Sequence, residues 1–164
     1  MDRKPRLEQI DADPESLGAI FAEQMLTPEQ EGQPRTWWYD PQNPRGCWIT
    51  ETLDGTYHAT VGTTVPATGR LQEFELESGL AAFFRDDAGM VWPIPPRGLD
   101  YFNSGYAGTG PQELVEAVTA LRINAAADID TAAHMTADAA LSELIMTHTP
   151  PLNVSQHQIN ALLP

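Results

Sequence analysis

A glycine-rich stretch, Asn103-Ser104-Gly105-Tyr106-Ala107-Gly108-Thr109-Gly110-Pro111, separates a β-patterned part of the chain from a helix-patterned part. It is the segment whose composition asks for a special backbone. Gly105, Gly108 and Gly110 can take positive φ without steric cost, and Pro111 suits a first helical turn, where its missing N–H would have had no partner. The stretch runs into residues 112–121, in which Leu114, Val115, Val118 and Leu121 recur at helical spacing. Such a loop either turns a strand into a helix or aims several N–H groups at an anion. Ser104, Gly105, Tyr106, Gly108, Thr109 and Gly110 are therefore the candidate ligand-binding residues. The pattern lacks the buried parallel strand that precedes a dinucleotide fingerprint and the Gly-Lys-Ser/Thr of a phosphate loop. Arg97 and Arg122 are the nearest cations, and Arg122 lies about three turns along the helix, too far to share an anion with its N-terminus. Asn103-Ser104-Gly105 also lacks the flanking glycine of a nucleophile elbow.

Before the loop, Asp13-Pro14-Glu15 reads as a helix start, followed by apolar Leu17, Ile20, Phe21 and Met25 and ending near Leu26. Residues 27–35 form a polar connection and residues 40–45 a turn-rich one. Between them, Trp37, Trp38 and Tyr39 either cap a core edge or offer a binding platform. Residues 47–62 predict a hairpin turning at Asp54-Gly55, a two-residue turn that sets Leu53 opposite Thr56, Glu51 opposite His58 and Ile49 opposite Thr60. That register puts Cys47 on the face of Ile49 and Leu53, where it is expected to be buried and inert. Residues 71–78 alternate, with Phe74 and Leu76 on one face and Glu73, Glu75 and Glu77 on the other. A second hairpin spans residues 82–93, turning at Asp86-Asp87-Ala88-Gly89. An antiparallel sheet of about five strands follows, with helix left open for residues 71–84 because Gly79 is their only breaker.

After the loop the pattern is helical. Residues 130–146 predict one or two helices, with Thr136 as cap and Leu141, Leu144 and Ile145 inward; Pro150-Pro151 ends them, and residues 155–163 form a last short helix. The expected fold is α+β: a central antiparallel sheet of about five strands, one N-terminal helix and a helical C-terminal third. One domain spans residues 1–164, divided into helix and polar connection (1–35), sheet (36–95), glycine-rich loop (96–111) and helical part (112–164).

Charge narrows the function classes. With 9 Lys and Arg against 23 Asp and Glu, the formal net charge is -14, and Lys4 is the only lysine. That balance works against direct binding of nucleic acid or anionic membranes. It suits solubility, a basic partner or imitation of a nucleic acid. Glu73, Glu75 and Glu77 would stand about 6.8 Å apart at about 3.4 Å of rise per residue, close to the spacing of successive phosphates; a solvated strand face is the simpler reading. The single Cys47 excludes an internal disulfide framework and a cysteine-rich zinc site. His58, His134, His148 and His157 show no metal-ligand spacing. No cofactor and no metal are expected. The longest apolar run, residues 80–84, is too short for a membrane span, so a soluble cytoplasmic protein is expected.

Val91-Trp92-Pro93-Ile94-Pro95, with Gly105-Tyr106-Ala107-Gly108-Thr109-Gly110-Pro111-Gln112-Glu113-Leu114-Val115, resembles small uncharacterised proteins of actinobacteria and their phages that carry a Gly-Tyr-x-Gly-Thr-Gly-Pro-x-x-Leu motif. The resemblance covers residues 83–121 and implies no activity, substrate or ligand. The expectation is an acidic cytosolic interaction protein, phage- or plasmid-encoded, that binds a protein partner and does not catalyse. Trp37, Trp38, Tyr39, Glu73, Glu75 and Glu77 are its candidate interaction surface. The alternatives are a binder or enzyme holding a small anion in the glycine-rich loop, and an acidic nucleic-acid mimic that blocks a DNA-handling protein.

Overall fold

The computed structural model describes residues 6–9, 15–25, 38–39, 48–51, 57–61, 64–95, 102–129 and 138–164; for 6–9, 38–61 and Ala22, Glu23 and Met25 it describes the backbone alone. The fold is α+β. In chain order the elements are β1 (Arg6–Gln9), α1 (Leu17–Met25), β2 (Trp38–Tyr39), β3 (Trp48–Glu51), β4 (Tyr57–Val61), β5 (Glu73–Leu76), β6 (Ala82–Arg85), β7 (Val91–Pro93), α2 (Thr109–Ile123), α3 (Ala139–Thr147), β8 (Leu152–Val154) and α4 (Gln156–Leu162). The strands pair antiparallel in two sheets, β1-β4-β3-β2 and β7-β6-β5-β8, in place of one sheet of about five. The C-terminal third is not wholly helical. Leu152 and Val154 bury their side chains while Asn153 faces out, a three-residue alternation that adds β8 to the edge of β5.

The first hairpin departs from its predicted register by one residue. Glu51 pairs with Tyr57, Thr50 with His58, Ile49 with Ala59 and Trp48 with Thr60. The five positions between Glu51 and Tyr57 are an odd number, which a two-residue turn flush with the ladder cannot supply. His58 therefore stands opposite Thr50, and the Glu51–His58 pair is not formed across the ladder. Cys47, Trp37 and the turn itself lie outside the described residues, as do the side chains of Trp38 and Tyr39.

The second hairpin forms as predicted, with Phe83 paired to Pro93, Phe84 to Trp92 and Arg85 to Val91. Asp86, 2% exposed, is the reason its turn is fixed. Its carboxylate accepts from the N–H groups of Ala88 (2.9 Å) and Met90 (3.0 Å), from the Thr68 N–H (2.9 Å) and from Trp92 Nε1 (3.0 Å). A carboxylate with four donors binds the turn to the preceding 64–70 segment as well as closing it.

Phe83 and Phe84 point to opposite faces of β6 and both are fully buried, so this sheet is covered on both sides. On the Phe83 face lies α1, whose Phe21 ring sits 5.7 Å from the Phe83 ring, tilted by 39°. The predicted start of α1 moves from Asp13 to Ser16: the Ala19 N–H donates to Ser16 Oγ and the Ile20 N–H to the Ser16 carbonyl, both at 3.1 Å. Near its other end, Gln24 exchanges two hydrogen bonds with the Val91 backbone, Nε2 to the carbonyl (3.0 Å) and N–H to Oε1 (2.9 Å). The side-chain amide stands where another strand would pair, and so closes the outer edge of β7. Leu114, Val115, Val118 and Leu121 of α2 are fully buried, as their spacing predicts; burial of side chains this size is worth about 1.5–3 kcal/mol each. The cap of α3 is Asp138, whose side chain accepts from the Leu141 N–H; Thr136, the predicted cap, lies outside the described residues. Ser155 and Gln158 form a capping box at the start of α4.

Candidate anion-receiving cleft

The acidic stripe on β5 is the largest correction to the sequence reading. Glu75 is 8% exposed and Glu77 is fully buried, because β5 is an inner strand and α1 covers the face they occupy. Glu75 Oε2 accepts from the Leu17 N–H (3.3 Å) and Glu77 Oε1 from the Gly18 N–H (3.1 Å). These are the first two N–H groups of α1, where a helix has no internal acceptor and its dipole favours negative charge. Glu73 joins Arg85 across the ladder, Arg85 Nε lying 2.8 Å from Glu73 Oε1. The stripe is thus neither a solvated face nor a row of exposed charges.

The glycine-rich loop is built as a corner. Its left-handed residue is Gly105, at φ 88°, whose N–H donates to the Ile145 carbonyl at 2.8 Å. A Cβ there would lie 2.8 Å from Thr149 Cγ2 and 3.0 Å from Thr149 Cα, so both the backbone and the packing require glycine. Gly108 has extended backbone, φ -177°, and stands at the N-cap of α2 with no side-chain cap. Gly110 and Pro111 are buried in the first turn, Thr109 is exposed and Tyr106 is 48% exposed. Ser104 is buried, and its Oγ has no hydrogen-bond partner among the described residues.

A different pair of residues forms the site with the clearest chemistry. The segment leading into β5 runs along the C-terminal end of α2, held by Leu71 N–H to the Leu121 carbonyl (3.0 Å) and Ala125 N–H to the Gly69 carbonyl (2.8 Å). Gly69, at φ 70°, turns this segment against Asp87, whose Oδ2 accepts the Arg70 N–H at 3.1 Å and whose Oδ1 accepts from Gln72 Nε2. Arg122, in the last turn of α2, is 5% exposed. Its guanidinium donates from Nε to the Leu163 carbonyl (2.8 Å), from Nη1 to the Leu71 carbonyl (2.7 Å) and more weakly to Gln72 Oε1 (3.4 Å), and from Nη2 to Asn160 Oδ1 (2.9 Å). Arg70 donates from Nε to the Arg122 carbonyl (2.8 Å) and from Nη2 to a main-chain oxygen of Pro164 (3.3 Å). Among the described residues neither guanidinium bonds an Asp or Glu side chain. Burial pulls the Arg122 pKa below the ordinary arginine value, Arg70 acts in the same direction, and Asp87 opposes both.

Both arginines line one open cleft of about 620 Å³. Thr119 and Asp138 supply its other polar side chains, and Ile123, Leu162, Leu163 and Pro164 its apolar ones. Thr119 Oγ1 donates to the Val115 carbonyl at 2.7 Å, which leaves its lone pairs as acceptors. Arg70 uses two of the five N–H groups of a guanidinium and keeps three, in a planar fork that matches an oxyanion. Sequence reasoning placed Arg122 correctly away from the N-terminus of α2 and then left it without a role. The signal was its position: residue 122 continues the inward stripe of Val115 and Val118, and a cation on a buried helix face must find acceptors there.

Among the described residues, no group of three or more His, Cys, Asp and Glu side chains could hold a metal ion, and no helix is long and apolar enough to cross a membrane. No family model matches the chain, and neither a curated protein nor a solved structure shows significant similarity to it.

Proposed function

We propose that the protein acts by recognition and that the Arg70–Arg122 cleft is its receiving surface for an anionic group. The observation that carries this reading is that, in a chain of net charge -14, two of nine cations line one cleft and, among the described residues, neither bonds an Asp or Glu side chain, while Arg70 uses two of its five N–H groups. Charge-assisted bonds from a planar fork are short and about twice as strong as neutral ones. The burial of Glu75 and Glu77 removes the phosphate-like row on which the nucleic-acid mimic depended. The experiment is a thermal-shift panel of carboxylates and phosphates at low ionic strength, run on the protein and on Arg70→Met. A ligand at a hundred times its Kd stabilises by about 2.7 kcal/mol. At about 2–4 °C per kcal/mol for a chain of this size, the midpoint rises by about 5–10 °C. The expected result is a rise of that order with at least one anion, lost in Arg70→Met. Equal shifts in both proteins, or none, overturn the proposal.

A further inference from the structure

We infer that Gln24 is an edge guard, and that what it holds off is a second copy of this chain pairing through β7. In the sheet β7-β6-β5-β8, β7 is a terminal strand, so the groups on its outer side decide whether another strand can add. The Asp86 N–H donates to the Met90 carbonyl (2.9 Å) and the Ile94 N–H to the Ala82 carbonyl (2.8 Å), which turns residues 90 and 94 toward β6 and its turn. Main-chain groups alternate in direction along a strand, so those of Val91 and Pro93 point outward. Pro93 has no N–H to offer. Val91 is thus the position of β7 with both an outward donor and an outward acceptor, and Gln24 takes both, at 2.9 and 3.0 Å. A side-chain amide that donates and accepts at one residue copies the exchange made by a closely paired antiparallel strand.

Symmetry points to the occupant. A residue with both groups outward pairs with itself across a two-fold axis, each Val91 donating to the carbonyl of the other. In that register Met90 of each copy stands opposite Trp92 of the other. Met90 is 39% exposed and Trp92 is half-buried on the same face of β7. A thioether against an indole is a favourable contact, and the axis makes it twice. Both side chains lie away from α1, because Val91 and Pro93 share the Phe83 face that α1 covers. The pairing therefore requires Gln24 to leave and the rest of the sheet to stay as it is.

The test is sedimentation velocity over a concentration series, at an ionic strength that screens the repulsion between two copies of net charge -14. The full chain is expected to stay monomeric. Gln24→Ala, which keeps helix propensity, should dimerise about tenfold more tightly or better, since neither copy then gives up two hydrogen bonds in order to pair. Gln24→Met, close to glutamine in length, should do the same, and it carries the test if Gln24→Ala loses its near-ultraviolet circular dichroism. Adding Met90→Lys to either variant should restore the monomer by placing a charge on the edge. Two folded variants that stay monomeric overturn the inference. Dimerisation that Met90→Lys leaves untouched overturns it as well, because it would run through another surface. A dimer of the unaltered chain that Met90→Lys dissociates overturns it too, since the edge would then be open with Gln24 in place. Loss of the native fold in both variants does the same, because Gln24 would then hold α1 in place instead of guarding an edge.

Discussion

Two groups of buried charge sit at opposite ends of helices in this protein, and they differ in what they leave over. Glu75 and Glu77 meet the first N–H groups of α1; Arg70 and Arg122 meet carbonyls at the C-terminal ends of α2 and α4. Each set places charge where the helix dipole favours it and satisfies backbone groups that the helix cannot satisfy itself. The carboxylates lie under α1, sealed between helix and sheet. The guanidiniums lie on the wall of an open cleft, and the half-buried Arg70 keeps donor capacity facing it. A buried charge closed over by its own fold is structure. The same device at an open edge keeps donors turned toward solvent.

The comparison can be broken most sharply at Arg122. Replacing it with methionine strips the Leu71 and Leu163 carbonyls and Asn160 of a charged donor at once, and should cost about 4 kcal/mol in urea unfolding, since each buried acceptor left without a partner costs about 1–3 kcal/mol. A cost below 1 kcal/mol would mean that the clasp is not what joins the chain's C-terminal segment to α2. Next comes Gly69→Ala, where a left-handed backbone meets a Cβ position 1.9 Å from the Asp87 carboxylate. Strain of about 1–2 kcal/mol plus the displaced carboxylate should lower stability by about 3 kcal/mol, read from the same denaturation curves. Gly89→Ala, with φ 81° and open space around it, should show the strain alone.

On the carboxylate side, Glu77→Ala should cost about 2 kcal/mol by leaving the Gly18 N–H buried without its acceptor, and Glu77→Gln less, because an amide oxygen still accepts. Hydrogen exchange should show the loss concentrated in α1. Uniform loss across the sheet would contradict the capping role. The smallest effect is expected at Gly108→Ala, below about 1 kcal/mol. Its backbone is extended and the neighbour a Cβ would meet is the ring of Tyr106, half exposed and able to swing away. A large melting shift there would return the glycine-rich corner to the centre of the molecule.

Much of the secondary structure could be read from residue spacing. The inward face of α2, the strand character of β5, the Asp86–Gly89 turn and the short last helix each depend on neighbours within a few positions, and each formed where predicted. The register of β3 and β4 did not, because Asp-Gly is compatible with hairpin loops of more than one length and the local pattern does not choose between them. β8 escaped notice because three residues carry too little alternation to stand out, and its strand character comes from pairing with β5. The site was less legible still: Arg70 and Arg122 are 52 residues apart and meet only because the turn at Gly69 lies against the end of α2.

By itself, then, the sequence determined the α+β class, the amphipathic helices, the turn chemistry and an acidic net charge, all of which follow from local sterics, periodicity and composition. Whether a given charge faces water or the core was decided only in three dimensions. Alternating glutamates look identical on a solvated strand and on one roofed by a helix, and only the packing of α1 makes Glu75 and Glu77 caps. An arginine at the end of a helix likewise becomes a clasp and a cleft wall only when distant carbonyls are brought to it, since the energy of a buried charge is set by the partners that tertiary structure supplies.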